Sequence, residues 1–333
     1  MLQAPRIGII YGGIDGEREV SLQTARSIQE ALAHSRYRLV NIEVTPDAVF
    51  VVDGEETSLE QISENIDLAL LAVHGTFGEN GEIQMLLEQH AIPYTGSDAI
   101  ASAAAFSKSN TRDILQGHGI ATAPSQTIRW QEIEDRTPLS LAQELFKTFP
   151  QPCIVKPDRA GSSIGISVCH SIDHIADALE QAFMITSDVL VEEFIKGQEA
   201  TVGVISDMRE KDLYALPAAH IKPAEGKEYV DYQSKADDTL VAVCPAGFDA
   251  ALCKKLEDIA IKIHDVMALK DYSRSDMIIH PNRGVFVIDV NTLPGLGEQA
   301  IFRKQLESVG IDFEDFLEHI TQANIPFDFS EKF

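Results

Sequence analysis

The sequence predicts a protein of mixed α/β and α+β class built from three units, and three observations carry that prediction. At the start, a short apolar strand runs into a glycine turn and then a helix, "RIGIIYGG" followed by "EREVSLQTARSIQEALA". In the middle, "CIVKPDRAGSSIGISVC" reads as two strands joined by a Gly/Ser loop. Towards the end, longer strands alternate apolar and polar residues, as a half-buried antiparallel sheet does. At 333 residues the chain exceeds what one small core serves, which agrees with several units.

In chain order, "YRLVNIEV" and "IDLALLAVHG" repeat the opening strand signal, and "GEIQMLLEQH" supplies a further helix before "AIPYTG". Residues 1–97 therefore read as a parallel βαβ unit. "AIASAAAFSKSNTRDILQGHGI" is helical and rich in small residues, and strands then flank a helical stretch around "LAQELFKTF". Residues 98–185 read as a small α+β central domain. Residues 186–333 hold the alternating strands that begin in "DVLVEEFIKGQEATVGVIS" and a polar segment, "KPAEGKEYVDYQSKADDT", that reads as a mobile loop. An amphipathic helix over 249–269, two more strands and a closing helix near 311–321 complete this unit.

Composition narrows the partners. Asp plus Glu number 52 against 27 Lys plus Arg, a net charge of -25 that repels a nucleic-acid backbone. An anionic substrate would need the few cations gathered in one cleft, so each well-placed Lys or Arg is informative. The four cysteines, Cys153, Cys169, Cys244 and Cys253, show no CxxC spacing and read as free thiols in a reducing compartment. The start of the chain has no export signal, and no apolar run approaches the roughly 20 residues that cross a bilayer, so the expected location is cytoplasmic.

The densest chemistry lies in "YSRSDMII" and "VFVIDVNTLPGLGEQAI". Residues two apart in a strand face the same side, so Arg274 shares a face with Asp276, and Asp289 with Asn291. If these strands pair, two carboxylates and an amide oxygen converge. Hard oxygen donors of this kind suit Mg²⁺, which completes its shell with water and nucleotide phosphate, and no Cys or His stands beside them for zinc. The other reading is a buried strand end that caps a turn. Arg274 beside such a site favours neutralisation of phosphate or a developing oxyanion, against a structural ion pair with Asp276.

"KPDRAGSSIG" sets a lysine at a strand end before a small-residue loop able to present N–H groups to phosphate, although it is not the P-loop pattern. "VEEFIKGQEATV" sets acidic groups around Phe194 and Ile195, as an adenine and ribose slot would, or as a solvated edge strand would. "GGIDGERE" lacks the dinucleotide fingerprint, and Glu17 at its helix start is also a favourable dipole partner. His74 in "AVHGTFGENGE" also reads as a turn histidine.

Taken in order, "GGIDGEREVS", "AVHGTFGENGEIQ", "PYTGS", "IVKPDRAGSSIG", "VEEFIKGQEATV", "SRSDM" and "VIDVNTLPG" resemble the D-alanine:D-alanine ligase family of the ATP-grasp superfamily. The resemblance implies a three-domain ATP-grasp fold with a pre-ATP-grasp N-terminal domain. It implies ATP between the central and C-terminal domains, two Mg²⁺ ions with Mn²⁺ as an alternative, and amino-acid substrates near the N-terminal domain. By that resemblance Glu17 meets the first substrate's ammonium with His74 beside it. Lys108 and Lys156 contact phosphate, Ser162 belongs to the phosphate-covering loop and Lys235 to the mobile loop. Glu192 and Glu199 hold the adenine amino group and ribose, with Phe194 and Ile195 lining the slot. Arg274 and the Gly295 amide stabilise the oxyanion, and Asp276, Asp289 and Asn291 hold the metal. The implied product is D-alanyl-D-alanine for peptidoglycan and the cell wall. Members of the family are often dimers through the N-terminal domain, which makes a homodimer the implied assembly.

Three departures stand out. Asp289 replaces a more usual Glu, Lys235 is followed by Ala236 where the family commonly has Tyr, and Leu293, Gly297 and Ala300 replace hydroxyl-bearing residues near the second substrate. Tyr229 or Tyr232 would be the substitute lid contact. The expected activity is carboxylate–amine ligation through an acyl phosphate. The alternative is a ligase of the same family with another acceptor: a different amino acid, a hydroxy acid or an intramolecular amine.

Overall fold

The computed structural model describes residues 4–133, 136–161, 164–222 and 241–326. Its strands form three sheets of five, six and four strands.

The first sheet holds β1 (Arg6–Gly12), β2 (Arg38–Val44), β3 (Phe50–Val52), β4 (Glu55–Glu56) and β5 (Leu68–Leu71), in the order β4-β3-β2-β1-β5. β1 pairs in parallel with β2 and β5, as the βαβ reading requires. The β2–β3 and β3–β4 pairs are antiparallel, an edge the sequence reading did not include. Its signal was the Asp53-Gly54 turn, where both residues have positive φ, +53° and +84°, the conformation Asp-Gly favours in tight hairpins. Ile7, Ile9 and Ile10 of β1 are fully buried. Gly8 lets neighbours close in: a Cβ there would lie 2.7 Å from the Ile42 methyl. Helices α1 (Arg18–Ala31), α2 (Leu59–Asn65), α3 (Gly75–Glu79) and α4 (Glu82–Gln89) complete this part.

The stretch read as one helical region is two helices, α5 (Ala99–Phe106) and α6 (Lys108–Gly117), broken at Ser107. Ser107 caps α6 by accepting the Asn110 N–H at 3.3 Å. The four-stranded sheet runs β6 (Ser125–Arg129), β9 (Asp188–Glu193), β7 (Cys153–Pro157), β8 (Ser167–Cys169), all antiparallel. The β7–β8 pair is the predicted hairpin across the glycine loop. β9 lies beyond residue 185 yet sits between β6 and β7, so this sheet draws on residues past the end of the expected central domain. Helices α7 (Pro138–Thr148) and α8 (Ile172–Phe183) cover one side, burying Leu141, Leu145, Ile175 and Leu179 with Cys153, Val155 and Val191. All four cysteines are free.

The six-stranded sheet contains β10 (Gln198–Met208), β11 (Lys211–Ala215), β12 (Ala219–Lys222), β13 (Val241–Val243), β14 (Tyr272–His280) and β15 (Gly284–Asn291). Its order is β13-β12-β10-β14-β15, with β11 also on β10, and every pair is antiparallel. Helix α9 (Ala250–Val266) packs on it through Leu256, Ala260 and Ile263, in one cluster with Ala101, Ala105 and Leu115 from α5 and α6. Two closing helices follow, α10 (Ile301–Ser308), which the sequence reading missed, and α11 (Phe313–Asn324). Phe302, Leu306, Phe316 and Leu317 join the same core as Ile7 and Leu70, so the end of the chain shares a core with its beginning. Among the described residues no helix is long and apolar enough to cross a membrane.

Candidate active site

β14 and β15 place the expected strand-end residues in direct register: Arg274 opposite Asn291 and Asp276 opposite Asp289. A register shift follows between Asp276 and Met277, a bulge that ends the regular pairing next to the polar group. Asp276 is buried, and its Oδ1 accepts the Thr201 hydroxyl at 2.6 Å. Arg274 donates through Nε to Asp276 Oδ1 at 2.9 Å and through a terminal nitrogen to Oδ2 at 3.0 Å. The ion pair that was the alternative reading of Arg274 is therefore formed here. Burial opposes the Arg274 charge, but Asp276, Asp289 and Glu79 raise its pKa on balance.

Asn291 Oδ1 accepts the Leu293 N–H at 2.9 Å, so it also caps the turn it begins. The turn then carries Leu293 and Leu296 into the N-terminal core. Gly295 keeps open space above it: a Cβ there would meet Val20 only at 3.9 Å and Ala300 at 4.0 Å. Among the described residues no three His, Cys, Asp or Glu side chains gather around one point. Two carboxylates and an amide oxygen are a sparser set. That donor chemistry fits Mg²⁺, which keeps several positions for water and phosphate.

Of the two expected lysines, Lys156 is buried and Lys108 half-buried. Lys156, on β7, forms a 2.6 Å ion pair with Glu192 on β9, a diagonal neighbour on the same sheet face. Lys108, the first residue of α6, donates to the Ala160 carbonyl at 2.8 Å. Burial pushes its pKa down, Asp289 pulls it back up, and Lys156 lowers it again. These dependences place Lys108 in the field of both the strand-end carboxylate and the second lysine. Ser162 and Lys235, with Ala236, Tyr229 and Tyr232, lie outside the described residues.

From the N-terminal side, Asp15 organises the turn ahead of α1, accepting the Glu17 N–H at 3.1 Å and the Thr76 N–H at 2.6 Å. Gly75 has φ +73°, and a Cβ on it would lie 2.5 Å from Asp15 Oδ2 and 2.6 Å from Glu17 Oε2, so only glycine fits this approach. A Cβ on Gly161 would lie 3.0 Å from Glu17 Oε2, which brings the glycine loop up to Glu17.

Glu79 is a site residue the sequence reading missed. Its carboxylate accepts the Gly75 N–H at 3.2 Å, and burial, then the nearby Glu17 charge, push its pKa well above the usual carboxylate range. The available signal was an acid between two glycines, Gly78 and Gly81, in the same motif as His74. His74 itself turns to the fold: Nδ1 donates to the Leu293 carbonyl at 3.0 Å, which leaves Nε2 to accept from the Thr24 hydroxyl at 2.8 Å. Burial lowers its pKa to about 4, so the ring is neutral near pH 7.

Glu17, Glu79, Phe106, Lys108, Gly161, Asp289, Asn291 and Thr292 line one cleft. Residues 17, 108, 289 and 291 were expected from three distant segments, and the fold brings them to one cleft. On the side expected to hold adenine, Ile195 is buried with Ala123 and Phe286, while Phe194 is half-buried. Glu199, the second residue of β10, lies opposite Ile278, which packs on the same apolar cluster. Phe286 and Arg283 were also missed. Arg283 lies over the Phe286 ring at 5.0 Å and pairs with Glu193 at 2.5 Å, closing the rim between the two sheets.

Residues 114–322 match the family described as D-ala D-ala ligase C-terminus, and residues 51–97 match D-ala D-ala ligase N-terminus. A D-alanine--D-alanine ligase of Syntrophotalea carbinolica is 35% identical over 321 residues, covering 96% of each chain. Among solved structures, the VanG D-Ala:D-Ser ligase of Enterococcus faecalis superposes with a TM-score of 0.84 at 25% identity, covering 96% of this chain and 99% of that one. A D-alanine--D-alanine ligase of Bacillus anthracis complexed with ATP superposes with a TM-score of 0.77 at 28% identity, covering 96% and 97%.

Proposed function

The chain belongs to the D-ala D-ala ligase family, and on that premise we propose that it joins two D-alanine molecules at the expense of ATP. The observation that carries this reading is the single cleft that gathers Glu17, Lys108, Asp289 and Asn291 from the N-terminal, central and C-terminal parts of the chain. A carboxylate oxygen of the first D-alanine attacks the γ-phosphorus of ATP, ADP leaves, and an acyl phosphate remains. The amine of the second D-alanine attacks the acyl carbon, and inorganic phosphate leaves as the amide forms. The product is a building block for peptidoglycan made in the cytoplasm.

In this reading Lys108 and Lys156 meet phosphate, and Arg274, with the Gly295 amide, offsets charge on the tetrahedral intermediate. Glu17 holds the first ammonium, Glu192 and Glu199 the adenine and ribose, and Phe194 and Ile195 the flat faces of the base. His74 acts through Leu293, fixing the turn that carries Gly295. Ser162 and Lys235 complete the nucleotide side. Asp276, Asp289 and Asn291 would hold Mg²⁺ or Mn²⁺, which supplies charge neutralisation of the phosphates when bound. The units 1–97, 98–185 and 186–333 then serve as substrate side, nucleotide side and catalytic side. A homodimer is the assembly this reading carries.

Phosphate release measured across a panel of D- and L-amino acids, with mass spectrometry of the product, tests the assignment. The expected result is ADP, phosphate and D-alanyl-D-alanine only when D-alanine and Mg²⁺ are both present, with turnover abolished by Asn291→Ala. Turnover supported by another acceptor but not by D-alanine would transfer the function to that acceptor.

A further inference from the structure

Asp158 stands two residues beyond Lys156, and no step above uses it. It is a carboxylate only 2% exposed, bonded to the segment of Lys108, which lines a cleft that must receive a polyanion. A buried charge in that position is adverse unless it is fully hydrogen-bonded and does something for the cations around it.

The hydrogen bonds of its carboxylate converge on one short segment, with the Arg159 guanidinium 4.0 Å from Oδ2. Oδ2 accepts the Ser107 hydroxyl at 2.8 Å, and Oδ1 accepts the Ser109 N–H at 2.7 Å. The Asp158 main-chain carbonyl accepts the Lys108 N–H at 3.2 Å. Residues 107, 108 and 109 are thus held in succession, and Lys108 is the middle one. Lys108 then reaches back with its ammonium to Ala160, two residues past Asp158. The other end of Asp158 is anchored as well, its N–H donating to the Asp188 carbonyl of β9 at 2.9 Å. The break between α5 and α6 at Ser107 has its cause here. The carboxylate takes up N–H and O–H groups at the start of α6 and welds that helix end to the end of β7.

We propose that Asp158 is a positioning residue for the nucleotide phosphates, a carboxylate clamp that fixes Lys108 beside Lys156. This rests on the reading above that Lys108 meets phosphate. A lysine on a flexible four-carbon stem recognises phosphate as a point charge, so holding its own N–H, the Ser109 N–H and the Ser107 hydroxyl sets where that charge can go.

The test is isothermal titration calorimetry of the full chain with MgATP and with adenosine, which carries no phosphate. The chains compared are wild type, Asp158→Ala, Lys108→Met and the double variant. Asp158→Ala is expected to weaken MgATP about tenfold, leave adenosine affinity unchanged, and add nothing once Lys108 is already Met. Unchanged MgATP affinity, equal loss for ATP and adenosine, or additive losses in the double variant would each overturn the clamp. If Lys108→Met leaves MgATP affinity untouched, the phosphate role of Lys108 falls first and the clamp with it. A loss from Lys108→Met without one from Asp158→Ala sinks the clamp alone. Should Asp158→Ala fail to fold, Ser107→Ala removes one bond of the clamp. It is then expected to weaken MgATP about threefold, again without effect on adenosine, and no change in MgATP affinity would refute the proposal.

Discussion

Lowering the pH from 7 to 5 should leave two buried histidines uncharged and lower the stability of the folded chain. His74 and His264 are both buried, and burial lowers each pKa from 6.5 to about 4. His264 is held inside by Ser273 at 2.8 Å and Ser206 at 3.2 Å, as His74 is by Thr24 and Leu293. In the unfolded chain each ring takes up a proton below about pH 6.5, while in the folded chain neither does until about pH 4. The unfolded state therefore binds more protons in that window. The stability is fully present above the unfolded value and is lost as pH falls towards the folded one. At pH 5 the loss works out at about 2 kcal/mol for each ring, on the order of 4 kcal/mol together. The direct assay is the NMR titration of the ring Cε1–H signals of the ten histidines, assigned with His74→Gln and His264→Gln. Two signals are expected to keep neutral shifts down to pH 5. His90, whose ring is bonded to the Leu86 carbonyl and Glu60, should titrate above the ordinary value. Midpoints above pH 6 for both assigned signals would refute the burial argument.

Gly75→Ala forces a side chain into a left-handed backbone position and against Glu17 and Asp15. It is expected to cost about 1–2 kcal/mol of backbone strain and to raise the KM for the first amino acid about tenfold, and an unchanged KM refutes the placement of Glu17. Glu79 takes up a proton on folding because its folded pKa is raised, so its contribution falls as pH rises past the ordinary carboxylate range. Glu79→Gln should therefore raise the thermal midpoint more at pH 8 than at pH 5, and the opposite order would show the carboxyl ionised in the fold.

The sequence was most legible where chemistry is local. Residues two apart on a strand share a face, and that rule alone brought Asp289 and Asn291 together; pairing with Arg274 and Asp276 needed only two neighbouring strands. The glycine-loop hairpin was read from turn residues between apolar runs. What escaped depends on distant contacts. Nothing near Asp158 announces that its carboxylate meets Ser107 and Ser109, some fifty positions earlier, with separations of 51 and 49. Nor does anything near His74 announce the Leu293 carbonyl bonded to its ring, which lies 219 residues away. The Asp53-Gly54 hairpin was locally visible, but its strands are only three and two residues long, too short for an alternating pattern to register.

The cleft carries its own counterions. Lys156 is neutralised by Glu192 and Arg274 by Asp276, each at hydrogen-bonding distance. A ligand anion consequently enters by exchange: it takes over a cation and strands the carboxylate that held it. Asp276, once released by Arg274, would keep the Thr201 hydroxyl bond but lose its cation, and a divalent ion arriving with the nucleotide would replace that charge. Nucleotide and metal thus gain more by arriving together than either does alone. A lone small anion brings no cation to offset the released acid, so it is expected to bind this cleft more weakly than nucleotide and metal together.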